Sequence, residues 1–190
     1  MTDAPSDAEL VRAALRGEAR AQRALVERHR AAAYRLARTA TGDAEDAQDI
    51  VQQAFIAAFG ALGRYDPARP FRGWLGAITL NKCRDWARRR ALRRLIGLPV
   101  PDHAAEWLAA DEPSPEATAQ DRAELAATAR AIAALPANLK DVLILRTIEG
   151  LSQQETAQAL GISAKAAETR LYRARQKLLA ALRDEPLPRV

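Results

Sequence analysis

Apolar positions along the chain recur every three or four residues, and no run alternates apolar with polar as a half-buried strand does. Asp3-Ala4-Pro5-Ser6-Asp7 offers cap residues before a first helix, predicted from about Asp7 to Arg16. Gly17 interrupts the pattern, and a second helix follows from about Glu18 to Thr39. Thr41-Gly42-Asp43 forms a turn that ends in a new cap. The third helix, about Ala44 to Leu62, gathers Ile50, Val51, Ala54, Phe55, Ala58, Phe59 and Leu62 on one face. Gly63, Pro67 and Pro70 cannot continue it, because proline lacks the N–H and fixes φ. A fourth helix is predicted from about Phe71 to Leu95.

The segment 96–121 differs in kind. It carries Pro99, Pro101, Pro113 and Pro115, with Asp102, Glu106, Asp111, Glu112, Glu116 and Asp121 and no Lys or Arg. Such a composition predicts an acidic, flexible linker with at most a short helix near 104–109. Four helices are expected beyond it, at about Arg122–Ala134, Ala137–Glu149, Ser152–Leu160 and Ser163–Leu182. The predicted fold is all-α: a domain over 1–95, the linker over 96–121, and a second domain over 122–190.

Composition narrows the function. The 190 residues hold 29 Lys plus Arg against 24 Asp plus Glu, a net charge of +5 whose distribution matters more than its sum. Cys83 is the only cysteine, so neither an internal disulfide nor a cysteine-rich zinc site is expected. It reads as a small buried apolar group. The N-terminus lacks a signal-peptide core, and no apolar run approaches a membrane span. A soluble, cytoplasmic chain without membrane insertion is expected. His29, placed on the surface of the second helix, and His103 are the only histidines. No phosphate-binding glycine loop or metal-spaced cluster accompanies them. Neither catalysis nor a metal or other cofactor is expected.

Ser152-Gln153-Gln154-Glu155 is a capping box at a helix start, and Gly161 in Leu160-Gly161-Ile162-Ser163 suits a left-handed C-cap. Two short helices with this joint predict a helix-turn-helix. Ala167, Leu171, Ala174 and Leu178 point the second helix inward. The opposite face presents Lys165, Glu168, Thr169, Tyr172, Arg173 and Gln176. Arg173 suits guanine and Glu168 a cytosine amino group, while Ser152, Lys165, Arg170 and Arg175 suit phosphates. The competing reading is an ordinary solvated amphipathic helix. In the fourth helix Lys82, Trp86, Arg89 and Arg93 share a face, an aromatic among cations that suits single-stranded nucleic acid. Arg84, Arg88, Arg90 and Arg94 extend the positive field. Its alternative is a core tryptophan beside arginines that keep a surface wet.

The run Asp43-Ala44-Glu45-Asp46-Ala47-Gln48-Asp49-Ile50-Val51-Gln52-Gln53-Ala54-Phe55, then Phe71-Arg72-Gly73-Trp74-Leu75, Asn81, Asp85 and Arg88-Arg89-Arg90, resembles one known domain. It is the N-terminal domain of extracytoplasmic-function sigma factors of bacterial RNA polymerase. Leu135-Pro136, Glu149-Gly150-Leu151-Ser152, Glu155, Ala157, Leu160-Gly161-Ile162-Ser163 and Arg170 through Arg175 resemble their C-terminal domain. The resemblance spans nearly the whole chain outside the linker and the tail.

The resemblance implies a division of labour. Asp46, Asp49, Gln52 and Gln53 would dock on a coiled coil of the β′ subunit of core RNA polymerase, with β as a further partner. Arg64, Tyr65, Arg69 and Arg72 of the loop, with Lys82, Trp86, Arg89 and Arg93, would open the minus-ten promoter element. Of the aromatics there, Phe71 and Trp74 are expected mostly in the core. Ser152, Lys165, Glu168, Thr169, Arg170, Tyr172, Arg173 and Arg175 would read the minus-thirty-five duplex. The acidic linker would thread the polymerase channels, and an anti-sigma factor would hold the chain inactive until a stress or envelope signal. Gln53 stands where the family often has an acid, and Lys165-Ala166-Ala167 and Glu168 depart from its usual recognition-helix entry. A free-standing helix-turn-helix regulator is the competing function, and it leaves the N-terminal motifs unexplained.

Overall fold

The computed structural model describes residues 4–96 and 119–184. Every regular element among them is helical: α1 Asp7–Leu15, α2 Ala19–Thr41, α3 Ala44–Ala61, a 3-10 turn Leu62–Arg64, α4 Phe71–Leu95, α5 Ala119–Ala134, α6 Ala137–Thr147, α7 Gln153–Leu160 and α8 Ala164–Asp184. This is the all-α fold expected from the periodicity. The expected linker, including its short helix near 104–109, lies largely outside the described residues. At its far end α5 already begins at Ala119 rather than Arg122.

Local chemistry sets the helix ends. Ser6 accepts from the Glu9 N–H at 3.3 Å, and Glu9 Oε2 accepts from the Ser6 N–H at 2.7 Å, closing a capping box at α1. Gly42 ends α2 at φ 76°, where a side chain would be strained, and lets the chain reverse into α3. Asp43 then caps α3 by accepting from the Asp46 N–H at 2.8 Å.

Helices α2, α3 and α4 pack against one another, and α1 lies along α2. Leu25, Leu36, Ile50, Phe71 and Leu80 are fully buried among them. Phe71 sits at the centre of an aromatic cluster, 5.4 Å from Tyr65 and 5.6 Å from the half-buried Trp74. Cys83 is buried as expected, and burial pushes its thiol up to about 12.

His29 corrects the surface placement read from the sequence. It is 6% exposed, bonds Asp7 at 3.0 Å and packs 5.0 Å from the Phe71 ring. Its face of α2 looks polar in isolation, and α1 folds over it. Arg28 holds the same Asp7 at 2.7 Å.

The C-terminal module packs Leu135, Leu139 and Leu143 against Ala174, with Ile132, Leu171 and Leu178 at the edge. Helix α6 is apolar on two sides. Its Ile144 and Leu145, with Leu151 just beyond it, are buried in the core of the N-terminal module instead. The two modules therefore share an interface in which α7 lies on α4 and α6 reaches α2 and α4.

Removing the Leu25 side chain leaves a cavity that rigid helices do not fill. Leu25→Ala is expected to lower the unfolding free energy by about 2–5 kcal/mol. Urea denaturation at unchanged slope checks this, and a loss well below that range contradicts the core described here.

Candidate nucleic-acid interface

The joint between α7 and α8 is built by hydrogen bonds that the sequence pattern already names. Ser152 Oγ accepts from the Glu155 N–H at 3.2 Å, and Glu155 Oε2 accepts from the Ser152 N–H at 2.7 Å. The bonds from Ser152, backbone first, hold the Glu155 carboxyl below the usual range. Gly161 takes φ 64°, and the Ile162 N–H reaches back to the Ala157 carbonyl at 3.0 Å. Ser163 Oγ accepts from the Ala166 N–H at 3.1 Å and starts α8. The Gln153 amide donates to the Ala164 carbonyl at 2.9 Å, which fixes one helix against the other.

Helix α8 buries Ala167 and Ala174 and half-buries Leu171 and Leu178, the inward face read from the spacing. Lys165, Glu168, Arg173 and Arg175 are exposed, Thr169 and Arg170 are half-buried, and Tyr172 is 64% exposed. Lys165 and Glu168 pair at 3.0 Å, and the Thr169 hydroxyl donates to the Lys165 carbonyl at 2.9 Å. Both side chains of the pair are exposed, so a phosphate or base competes with the pair at little cost.

On the other module, Trp86, Arg89 and Arg93 of α4 face Asp46, Asp49 and Gln53 of α3 across a cleft of about 410 Å³. Gln52 is exposed on α3, and Lys82 is half-buried on α4. Arg90, read from sequence only as part of a general positive field, is central here. Its guanidinium lies 5.3 Å from the Trp86 ring centroid and 3.9 Å from Asp46. The i, i+4 spacing of Trp86 and Arg90 was the available signal.

The loop residues lie at the opposite end of α4. Arg72 and Arg93 are separated by roughly 30 Å of helix, so they do not serve one base. Arg64 is exposed, Arg69 pairs with Asp66 at 3.3 Å, and Arg72 lies 3.7 Å from Glu149 of the C-terminal module. Tyr65 is not on this surface. It is 8% exposed, donates to the Arg69 carbonyl at 2.5 Å and offers no open ring face to a base. No group of metal-ligating side chains occurs among the described residues, and no described helix is long and apolar enough to cross a membrane.

A helical protein with a basic, aromatic-bearing helix in one module and a helix-turn-helix in the other is of the nucleic-acid-binding class. The chain matches the Sigma-70 region 2 family over residues 25–93 and the Sigma-70 region 4 family over 125–178. It is 43% identical to the RNA polymerase sigma factor CnrH of Cupriavidus metallidurans, over 94% of this chain and 96% of that one. It is 41% identical to the sigma factor NccH of Alcaligenes xylosoxydans xylosoxydans, over 97% and 98%. The solved structure of CnrH with the cytosolic domain of CnrY superposes with a TM-score of 0.68 at 36% identity, covering 95% of this chain and 99% of that one. That of the sigma factor RpoE with the anti-sigma factor NepR from Bartonella quintana shares the fold at TM-score 0.66 and 19% identity, covering 86% and 98%. The chain belongs to the sigma-70 family, as an RNA polymerase sigma factor of the extracytoplasmic-function type. It is a transcription initiation factor and not an enzyme.

The capping box gives a local prediction. Ser152→Ala is expected to cost about 1 kcal/mol of stability. Thermal melting of the intact chain would read this as a lower midpoint, and an unchanged midpoint contradicts the cap's contribution.

Proposed function

We propose that the polar face of α3, through Asp46, Asp49, Gln52 and Gln53, docks the β′ coiled coil of core RNA polymerase, with β as a further partner of the chain, and that the two basic regions then read one promoter. In this reading Arg64, Arg69, Arg72, Lys82, Trp86, Arg89 and Arg93 serve the minus-ten element. Ser152, Lys165, Glu168, Thr169, Arg170, Tyr172, Arg173 and Arg175 serve the minus-thirty-five duplex. Tyr65 acts there by holding the Arg64–Arg72 loop in shape, since its ring is buried.

The observation that carries the reading is the open row on α8, with Tyr172 and Arg173 exposed above a face of buried alanines and half-buried leucines. A helix presented this way fits the major groove, and a bidentate arginine there discriminates bases by about 1–3 kcal/mol. On α4 an unpaired base that stacks on the face of Trp86 covered by Arg90 has to displace that guanidinium.

The chain works in the cytoplasm, where the polymerase is. An anti-sigma factor restrains it until a stress or envelope signal. Support for the restraint is the sequence likeness to CnrH, whose solved structure holds the cytosolic domain of CnrY.

Transcription reconstituted with purified core polymerase and genomic promoter fragments tests the proposal. Initiation at discrete sites is expected with the wild-type chain. Asp49→Arg is expected to reduce core binding at least tenfold, a loss of about 1.4 kcal/mol or more. Arg173→Ala is expected to leave core binding intact and weaken promoter selection by about 1–3 kcal/mol. Absence of specific initiation by the wild-type protein refutes the assignment of these faces.

A further inference from the structure

Helix α4 carries more than candidate promoter contacts, because the helix-turn-helix module is seated on it. Gly76 opens the seat, and Gly73 lines it. A Cβ on Gly76 would lie 3.2 Å from Leu145 Cδ2, and one on Gly73 would lie 3.5 Å from Leu151 Cδ1. Leu145 and Leu151 enter this notch and are fully buried.

A carboxylate of the C-terminal module is buried on each side of that apolar contact. Asp141, 6% exposed, places Oδ2 3.0 Å from Arg84 Nε. Glu149, 4% exposed, places Oε2 3.7 Å from Arg72 Nε. Neither pair is well hydrogen-bonded. Arg84 Nε is close to the carboxylate without an aligned acceptor, and Glu149 Oε1 has no partner. Buried ions so imperfectly satisfied oppose the contact that the leucines favour.

We propose that this contact is an intramolecular latch. The helix-turn-helix module docks on α4, draws the Arg72 guanidinium toward Glu149 so that this half-exposed side chain is only partly open to nucleic acid, and closes more firmly as pH falls. Arg72's role in promoter binding rests on the function proposed above; the latch itself does not.

The charges around the two acids give the sign. Asp141 faces Arg84 and Cys83 on α4, Lys140 on its own helix and Arg170 on α8. Glu149 faces Arg72 on α4, with Arg35 and His29 on α2. Burial outweighs the neighbouring cations in both cases: it pushes Asp141 up to about 6 and Glu149 upward as well. Burial also lowers Lys140, while the Cys83 thiol, at about 12, stays neutral.

An opened Asp141 returns to the ordinary carboxyl range near about 4. The closed form thus binds more protons between about pH 4 and about pH 6. Closure is favoured in acid, and the advantage is lost as pH rises through the upper value. Asp141 alone shifts the open-to-closed ratio by roughly 25-fold across that window.

Energy transfer between dyes at Glu27→Cys on α2 and Ala180→Cys on α8, both exposed sites, reads the latch in the full chain without polymerase or DNA. Transfer is expected to fall as pH rises from about 5 to about 8 in the wild type. Asp141→Asn, which stays neutral, is expected to flatten the profile and keep transfer high. Leu151→Glu is expected to lower transfer at every pH, with circular dichroism confirming retained helix. A pH-independent wild-type signal, or one unmoved by Leu151→Glu, overturns the latch. Binding of a mixed-sequence DNA single strand is the second readout. Leu151→Glu is expected to bind several-fold tighter, and adding Arg72→Ala to abolish the gain. If transfer behaves as expected while that gain is missing, the latch stands and the role given to Arg72 falls.

Discussion

The surface of α4 must satisfy several sets of neighbours at once, and the rest of the structure is arranged around how it does so. Its inner face closes the N-terminal core through Phe71, Leu75 and Leu80. Its first turns carry no bulk at Gly73 and Gly76, and there the C-terminal module inserts Leu145 and Leu151. Its last turns are exposed and basic. Each buried leucine stabilises the junction by up to about 1.5–3 kcal/mol. Desolvating a carboxylate costs several kcal/mol, of which a neighbouring arginine recovers only part. Asp141 and Glu149 therefore oppose an otherwise core-like contact.

The same opposition of charge recurs between α3 and α4. Asp46 and Asp49 line the cleft that Arg89 and Arg93 line from the other side, and Arg90 bridges the two walls above Trp86. A contact of 3.9 Å between partly solvated groups is weak and is screened by salt. Phosphates that displace such pairs gain the whole cationic row, and a partner that takes the α3 carboxylates leaves that row less neutralised. The docking proposed for α3 and the nucleic-acid binding proposed for α4 would in this sense be electrostatically linked.

Much of the fold was legible because its signals are local. Ser152 and Glu155 close their capping box within one turn, Gly42 and Gly161 sit where left-handed backbone is needed, and Ala167 and Ala174 share a face by helical geometry alone. Motif order carried the family assignment for the same reason. The candidate interface was legible where helix period decides exposure, as at Tyr172 and Arg173. It was not legible at Tyr65, whose polar end finds a partner in the Arg69 carbonyl only once the loop closes. Arg90 was hidden among like charges until α3 stood opposite it.

The sequence by itself determined which segments are helices, where they stop, and which stripe of each is apolar, since turns, caps and periodicity act over a few residues. It also determined that one module carries a helix-turn-helix. Only the tertiary structure decided what each stripe meets. His29 is interior because α1 crosses it, and α6 divides its apolar residues between two cores. Arg84 faces Asp141, more than fifty residues along the chain, because their helices are pressed together. Pairing across such separations depends on packing geometry, which no local pattern records.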